Sequence, residues 1–148
     1  MTATTTRSTS MRFGAEQIWD VLADFGGIAT WAGFVEHSSM LQAGPVEVGA
    51  ARRIQMGSMV VLERIVDVDA PTTLEYEIEG LPKAVSLVRN RWTLAPASGG
   101  TEVSIATTVR IGARPPQRLA ERVLGRVLAS RSDAMLAGLT AHLERQHV

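Results

Sequence analysis

The feature that most constrains the fold is one long apolar stripe in the segment Gln117–His147, which follows the pair Pro115-Pro116. Its apolar residues recur at helical spacing. They are Leu119, Val123, Leu124, Val127, Leu128, Met135, Leu139 and Leu143. At about 1.5 Å per residue, a helix of this length spans roughly 45 Å. We therefore predict a single long amphipathic helix that crosses the whole domain.

Much of the chain before this helix consists of strand-length segments separated by turn residues. In the clearest strand, Leu74, Tyr76 and Ile78 alternate with glutamates, which gives one apolar face and one acidic, solvated face. We predict about five or six strands after Phe34. They include the segments Met59–Asp69, Val85–Leu94 and Thr101–Ile111, and the turn Ser98-Gly99-Gly100 joins the last two as a hairpin.

The N-terminal part predicts a strand followed by two short helices. The β-branched segment Thr4–Phe13 favours an edge strand. Apolar residues at helical steps from Ala15 to Phe25 predict a first helix, which Gly26 and Gly27 end. The segment Ile28–Trp31 has room for one more helical turn.

This order of elements indicates an α+β fold, in which helices gather on one face of an antiparallel sheet. We expect a curved sheet of about six or seven strands around the long C-terminal helix. Since one helix does not fill so curved a sheet, we also expect an apolar cavity between them, which is where small ligands bind. We expect a single domain over residues 1–148.

Composition excludes several classes of function. Fifteen basic and fifteen acidic residues give a formal net charge of zero, so the chain lacks the basic field of a nucleic-acid-binding protein. No apolar run approaches the roughly 20 residues that a membrane span requires. The chain has no cysteine and three scattered histidines, so we predict no metal site and no cofactor. We expect a cytoplasmic location and a monomer or homodimer.

Several segments, taken in order, resemble one known family. These are AEQIWDVLADFGGIATW at 15–31, VGAARRI at 48–54, VVLERIVDVDAPTTLEYEI at 60–78 and GGTEVSIATTV at 99–109, followed by the terminal helix. Together they resemble the SRPBCC superfamily, also called START-like or helix-grip proteins. That superfamily includes polyketide cyclase/dehydrase and lipid-transport proteins, the birch-pollen-allergen group and the plant abscisic acid receptors. The resemblance covers nearly the whole chain and implies a helix-grip fold.

The alternation of each strand, anchored by this resemblance, predicts which side chains face the cavity. Most of them are apolar and a few are polar. The candidate ligand-binding residues are Glu36, Arg52, Ile54, Met56, Met59, Val61, Glu63, Tyr76, Ile78, Val88, Asn90, Trp92, Arg131 and Met135.

Glu63 is the most informative candidate, because a carboxylate among apolar neighbours needs a partner. Two interpretations remain open and do not exclude each other. Glu63 forms a structural ion pair with Arg52 on the neighbouring strand, or it anchors a ligand. The resemblance implies the second, since the matching acid of the plant receptors lies in their ligand pocket.

Two other charged candidates have equally open roles. Glu36 matches a receptor position that holds a ligand-binding lysine, so the sign of the charge is reversed and an acidic ligand is not implied. Exposure to solvent is the simpler expectation for Glu36. Arg131 interrupts the helical stripe, and its side chain extends either into the cavity towards Glu63 or outwards from its mouth.

Three functions fit these observations. The first is non-catalytic binding of a small hydrophobic molecule, lipid-like or polyketide-like, which needs only the cavity. The second, implied by the resemblance, is a cyclase or dehydratase in which Glu63 acts as general acid or base, and Arg52 or Arg131 stabilises an enolate. The third is a module that binds a protein partner, for which an exposed apolar patch is the expected sign.

Overall fold

A computed structural model describes residues 2–81, 85–111 and 115–147, and for residues 115–126 only the helical backbone. The elements in chain order are β1 (Thr2–Met11), α1 (Ala15–Ala23), a 3₁₀ helix (Phe25–Thr30), β2 (His37–Met40), β3 (Ala51–Met56), β4 (Met59–Asp69), β5 (Thr73–Glu79), β6 (Val85–Ala97), β7 (Gly100–Ile111) and α2 (Pro115–Gln146). The predicted order of elements is confirmed.

The seven strands form one curved antiparallel sheet in the order β1-β7-β6-β5-β4-β3-β2. Each strand from β2 to β6 pairs with the next one along the chain. The exception is β1, which pairs with β7, at the other end of the sequence. The predicted α+β helix-grip architecture is therefore confirmed.

The core lies between the inner face of the sheet and the helices. Alternate residues of the long strands are buried, as with Val61, Glu63 and Ile65 on β4, because successive side chains of a strand point to opposite faces. The largest fully buried side chains are Trp92, Tyr76 and Phe25. On α2, Leu139 and Leu143 of the predicted stripe are fully buried.

The buried face of α2 differs from the predicted stripe at two residues, Val127 and Leu136. Val127 is 44% exposed, so the stripe does not include it. The side chains of Leu119, Val123 and Leu124 lie outside the described residues. Leu136, which the predicted stripe omits, is buried instead.

A glycine fixes the distance between α2 and the segment that follows the 3₁₀ helix. A β-carbon added to Gly138 would collide with the backbone carbonyl oxygen of Trp31. The helix backbone therefore approaches this segment more closely than any residue with a side chain allows. This contact places the C-terminal half of α2 beside Trp31 and Ala32.

The outer face of the sheet is charged rather than purely acidic. The prediction of an acidic face considered β5 alone and not the neighbouring strands. Arg64 on β4 forms an ion pair with Glu79, and Arg89 on β6 forms one with Glu77. Arg91 also contacts Asp67 and Glu75 at 3.1 and 3.4 Å. The glutamates of β5 are thus paired with arginines on both sides.

Candidate functional site

A buried ion pair lies on the inner face of the sheet, where β3 and β4 place Arg52 and Glu63 directly opposite each other. Arg52 Nε donates to Glu63 Oε1 at 2.8 Å, and Arg52 Nη2 lies 2.6 Å from the same oxygen. The residues are only 3% and 6% exposed. The predicted structural pairing is therefore present, and it involves one of the two carboxylate oxygens of Glu63.

The guanidinium of Arg52 is enclosed on its other sides as well. Arg52 Nη1 donates to the carbonyl oxygen of Phe25 at 2.9 Å. Its Cζ atom lies 3.8 Å from the ring centroid of Phe25 and 4.7 Å from that of Tyr76, distances at which a cation is attracted to an aromatic face. Arg52 thus connects the 3₁₀ helix to the sheet and holds Glu63 in place.

A small cavity borders Glu63 between the sheet, α2 and the segment 28–35. Its volume is about 40 Å³, and its lining is mostly apolar. The described lining residues are Ile28, Phe34, Val35, Ile54, Met56, Glu63, Ile78, Asn90, Leu128, Arg131, Ser132 and Met135. For comparison, an engineered apolar cavity that binds benzene measures about 150 Å³. Side chains of the protein itself therefore fill most of the interior.

The lining divides into a buried floor and a partly exposed side. Glu63, Asn90 and Ser132 belong to the floor, together with apolar residues such as Ile54 and Met135. The partly exposed lining residues are Phe34, Met56, Ile78, Leu128 and Arg131. A molecule that enters from solvent meets this second group first.

Polar groups of the floor form a chain of hydrogen bonds across the interior. Thr107 Oγ1 donates to Asn90 Oδ1 at 2.7 Å, and its oxygen also lies 3.3 Å from Ser132 Oγ. Ser132 Oγ in turn donates to the carbonyl oxygen of Leu128 at 3.0 Å. The chain joins β6 and β7 to α2 and satisfies polar groups that burial would otherwise penalise.

Behind this chain lies the buried phenol of Tyr76, which accepts a hydrogen bond from Trp92 Nε1 at 3.2 Å. Burial raises the pKa of Tyr76 above its ordinary value, and the nearby charge of Glu63 raises this pKa further. The charge of Arg52 acts in the opposite direction. The phenol therefore stays neutral at neutral pH and contributes a polar but uncharged group.

Arg131 differs from Arg52 in its surroundings. It lies half-buried on α2, and its Cζ atom is 5.7 Å from the ring centroid of Phe34. Within the described residues, no carboxylate lies within ion-pair distance of its guanidinium. Its side chain lines the cavity, which is the first of the two orientations that the sequence left open.

Comparison with known proteins identifies the family. The sequence model described as "Polyketide cyclase / dehydrase and lipid transport" matches residues 2–144. The chain belongs to this family. The predicted resemblance to the SRPBCC superfamily is thereby confirmed. Among curated proteins, no sequence matches the chain significantly.

Solved structures agree with the fold of this polyketide cyclase/dehydrase and lipid-transport family. The ZhuI aromatase/cyclase from Streptomyces sp. R1128 is similar with a TM-score of 0.82 and 18% identity, over 100% of this chain and 97% of that one. The structure of Ara h 8.0201 has a TM-score of 0.74 and 15% identity, over 98% of this chain and 99% of that one. At such low identity, these likenesses show the fold alone.

A third similar structure is longer than this family member. The di-domain aromatase/cyclase StfQ, from the steffimycin biosynthetic pathway, is similar with a TM-score of 0.82 and 15% identity. The alignment covers 99% of this chain and 52% of StfQ. The present chain therefore corresponds to about half of that protein's length.

The structure brings half of the predicted site residues of this family member to the cavity. These residues are Ile54, Met56, Glu63, Ile78, Asn90, Arg131 and Met135. They come from strands β3 to β6 and from α2, so strand alternation and helical spacing placed them on the correct faces. Arg52 lies behind Glu63 and does not line the cavity.

Other candidates lie elsewhere. Glu36 precedes β2 and is exposed, which agrees with the simpler of the two expectations for it and not with its place among the ligand-binding candidates. Met59 is 44% exposed beside the β3–β4 turn, so the inward orientation predicted for it is wrong. Val61, Tyr76 and Trp92 face inwards but belong to the packed core rather than to the cavity wall.

Val88 also faces inwards but belongs to a separate small cluster with Val109 and Ile111. Strand alternation correctly predicts its face, yet the position along the strand decides which part of the interior it reaches. Val88 therefore lies beyond the described cavity wall.

The sequence interpretation missed several lining residues, and the reason differs between them. Ile28, Phe34 and Val35 lie in and after the 3₁₀ helix, where no regular period indicates a face. Ser132 lies four residues after Leu128 and three before Met135, so its helical spacing was an available signal. Leu128 was recognised as part of the stripe but not as a cavity residue.

The described residues of this family member hold neither a metal-binding cluster nor a membrane-spanning helix. Over residues 2–81, 85–111 and 115–147, no group of three or more His, Asp or Glu side chains is arranged to hold a metal ion. Within the same part of the chain, no helix is both long enough and apolar enough to span a membrane.

Proposed function

We propose that this protein binds one small, mainly apolar molecule in the cavity beside Glu63, between the sheet and α2. The observation that carries the proposal is the combination of apolar walls with a few convergent polar groups, Glu63, Asn90 and Ser132. Ligand sites commonly have this composition, with the polar groups fixing the orientation of an apolar molecule. Membership in a family that includes lipid-transport proteins supports it.

Glu63 supplies the directional contact in this proposal. Arg52 occupies Oε1 from behind, and among the described residues no hydrogen bond reaches Oε2. Since Glu63 lines the cavity, Oε2 is the oxygen available to a hydroxyl group of the ligand. A hydrogen bond to a charged group contributes about 1.5–3 kcal/mol.

The cavity enlarges when a ligand enters, because about 40 Å³ does not hold a drug-sized molecule. The sheet side is held by backbone hydrogen bonds, whereas Met56 and Met135 have long, unbranched side chains that change conformation readily. The proposal therefore includes rotation of these two methionines. A compact ligand fits this proposal better than a long lipid.

A pair of variants on neighbouring positions of α2 tests the proposal. Leu128 lines the cavity, whereas Val127 is 44% exposed and does not. We expect Leu128→Trp to fill the cavity and abolish binding, and Val127→Trp to bind normally. Binding is measured by native mass spectrometry of protein purified from its host and by a thermal-shift screen of small apolar compounds, since a ligand that binds only the native state raises stability.

Circular dichroism checks that both tryptophan variants fold. Co-purified small molecules in the wild type and the Val127→Trp variant, but not in the Leu128→Trp variant, support the cavity as the site. Equal binding by both variants would place the ligand elsewhere and contradict the proposal. Failure of all compounds to bind the wild type would count against it as well.

A second function, cyclisation or dehydration of a polyketide, is favoured by the charges on the cavity wall. Glu63 and Arg131 both line the cavity, as a base and an electrophile would. In this scheme Glu63 removes a proton from a carbon between two carbonyl groups, and Arg131 stabilises the enolate oxygen. The enolate carbon then attacks a ketone further along the same chain, and the alkoxide that forms takes the proton back from Glu63. Arg52 is less suited to the enolate, because it lies behind Glu63.

Glu63→Gln separates binding from catalysis. With a synthetic tetraketide thioester as substrate, this variant should lose turnover but still bind, because the amide oxygen can accept a hydrogen bond although the side chain is no longer a base. Cyclised product is measured by liquid chromatography and mass spectrometry. Unchanged turnover in the variant would remove Glu63 from the mechanism.

The third function, a module for a protein partner, has less support. Leu41 and Val48 are exposed near the first residue of β3, whereas Met59 and Val60 are exposed on β4 opposite its last two residues. The large exposed apolar side chains of the described residues therefore do not form one continuous patch, which is the feature that marks many interaction surfaces.

A further inference from the structure

The charges around the cavity do not cancel within the described residues. The ionisable side chains of the lining are Glu63 and Arg131. The negative charge of Glu63 is already balanced by Arg52, which lies behind it. The positive charge of Arg131 therefore remains.

Arg131 has no carboxylate partner among the described residues. The nearest acidic residue along α2, Asp133, contacts Arg7 of β1 at 3.8 Å and faces away from the cavity. The ring of Phe34, also a lining residue, lies next to the guanidinium, with its centroid 5.7 Å from Cζ. Partial burial beside apolar groups makes a cation without a carboxylate partner attractive to an anion.

We propose that the ligand of this cavity is an apolar molecule with one acidic group, and that Arg131 binds that group. The inference rests on the proposed function and names the chemical class of the ligand. The reversed charge at Glu36 does not oppose an acidic ligand, because Glu36 is exposed and lies outside the cavity wall.

The two charged lining residues also orient such a ligand. A carboxylate is repelled by Glu63 on the buried floor and attracted by Arg131 on the partly exposed side. The acidic group therefore lies at the open side, and the apolar body extends towards Ile54 and Met135. A hydroxyl group at the far end of the ligand would reach Glu63.

Three compounds of nearly equal shape test the charge preference: benzoate, benzamide and benzylamine. At neutral pH the first is an anion, the second is neutral and the third is a cation. Binding is followed by the methionine methyl signals in NMR, since Met56 and Met135 line the cavity and exposed Met59 serves as an internal control. We expect benzoate to shift the first two signals at the lowest concentration, and benzylamine at the highest.

Variants of Arg131 assign the preference to one side chain. Arg131→Gln should weaken benzoate binding by about tenfold or more and leave benzamide binding nearly unchanged, since a charge-assisted hydrogen bond is lost. Arg131→Lys should retain most of the preference. The control is Arg145→Gln, on the last turn of the same helix, where the exposed arginine lies outside the cavity.

The outcomes separate this inference from the proposed function. If benzamide binds as tightly as benzoate, or if Arg131→Gln leaves the preference for benzoate unchanged, the proposal of an acidic ligand held by Arg131 is wrong. The proposal of a binding site in the cavity is then unaffected. If none of the three compounds shifts the signals of Met56 and Met135, both the site and the acidic ligand are contradicted.

Discussion

Both faces of the sheet carry arginine–carboxylate pairs between neighbouring strands, but in very different surroundings. On the inner face, the side chains of Arg52 and Glu63 are 3% and 8% exposed. On the outer face, those of Arg91 and Asp67 are 42% and 50% exposed. The chemistry of the pairs is the same, and the access of water differs.

This difference in exposure determines how much each ion pair contributes to the stability of the fold. Exposed pairs gain little, because water and salt screen them and long side chains lose freedom. A buried pair must overcome the cost of removing two charges from water, and an apolar pair of similar size is often no less stable. The inner pair is therefore better explained by the placement of Glu63 beside the cavity than by stability.

The largest predicted effect comes from removing one partner of the inner pair. Arg52→Met should lower the free energy of unfolding by about 3–5 kcal/mol, because it leaves the charge of Glu63 buried without a partner. The variant also loses the hydrogen bond to the carbonyl oxygen of Phe25. Urea unfolding followed by circular dichroism measures the change.

A double variant is the matched control for this prediction. Arg52→Met combined with Glu63→Leu removes both charges, and it should recover much of the lost stability. If the double variant is as unstable as Arg52→Met alone, the loss reflects packing around Phe25 and Tyr76 rather than the unpaired charge.

A smaller effect is expected at high pH from Tyr76, which is the only tyrosine of the chain. Burial first, and then the charge of Glu63, raises its pKa above the ordinary value of 10.0. The unfolded chain therefore loses the phenol proton at a lower pH than the folded protein. The stability that Tyr76 contributes is complete below about pH 10 and falls by about 1.4 kcal/mol per pH unit above it, until the folded phenol also ionises.

The phenolate absorbance of this single tyrosine can be titrated in the folded and the urea-unfolded protein. The folded protein should show the absorbance at the higher pH. In Tyr76→Phe, the part of the alkaline loss of stability that comes from this phenol should disappear. Coincident titrations of the folded and unfolded states would show that the phenol is not shielded from water.

The smallest effect is predicted for the outer face. Arg91→Gln should change the free energy of unfolding by about 0–1 kcal/mol, since its contacts with Asp67 and Glu75 are partly exposed. This small change should shrink further in high salt. A loss of stability as large as that of Arg52→Met would contradict the prediction that the exposed pairs contribute less than the buried pair.

Local patterns made a large part of the fold predictable. Alternation identified β5, since Leu74 and Tyr76 are buried while Glu75 and Glu77 face outwards. The same rule predicted that Arg52 and Glu63 face inwards on adjacent strands, and the register confirms that they are partners.

The cavity itself was less predictable. Its size depends on how far Trp92, Tyr76 and other large core side chains extend into the concave face of the sheet. Phe34 and Val35 reach the wall from an irregular segment, where sequence spacing carries no information about direction. The sequence predicts an apolar cavity but not its size, which is about 40 Å³.

By itself, the sequence determined the order of the elements, the faces of the strands and the membership of a family, because these follow from local periodicity and from motifs read along the chain. The tertiary structure decided which inward-facing side chains fill the core and which line the cavity. It also decided that Arg131 lies beside Phe34 without a carboxylate partner among the described residues. Such properties depend on distances between segments far apart in the chain, and Gly138 and Trp31 set one of them by direct contact.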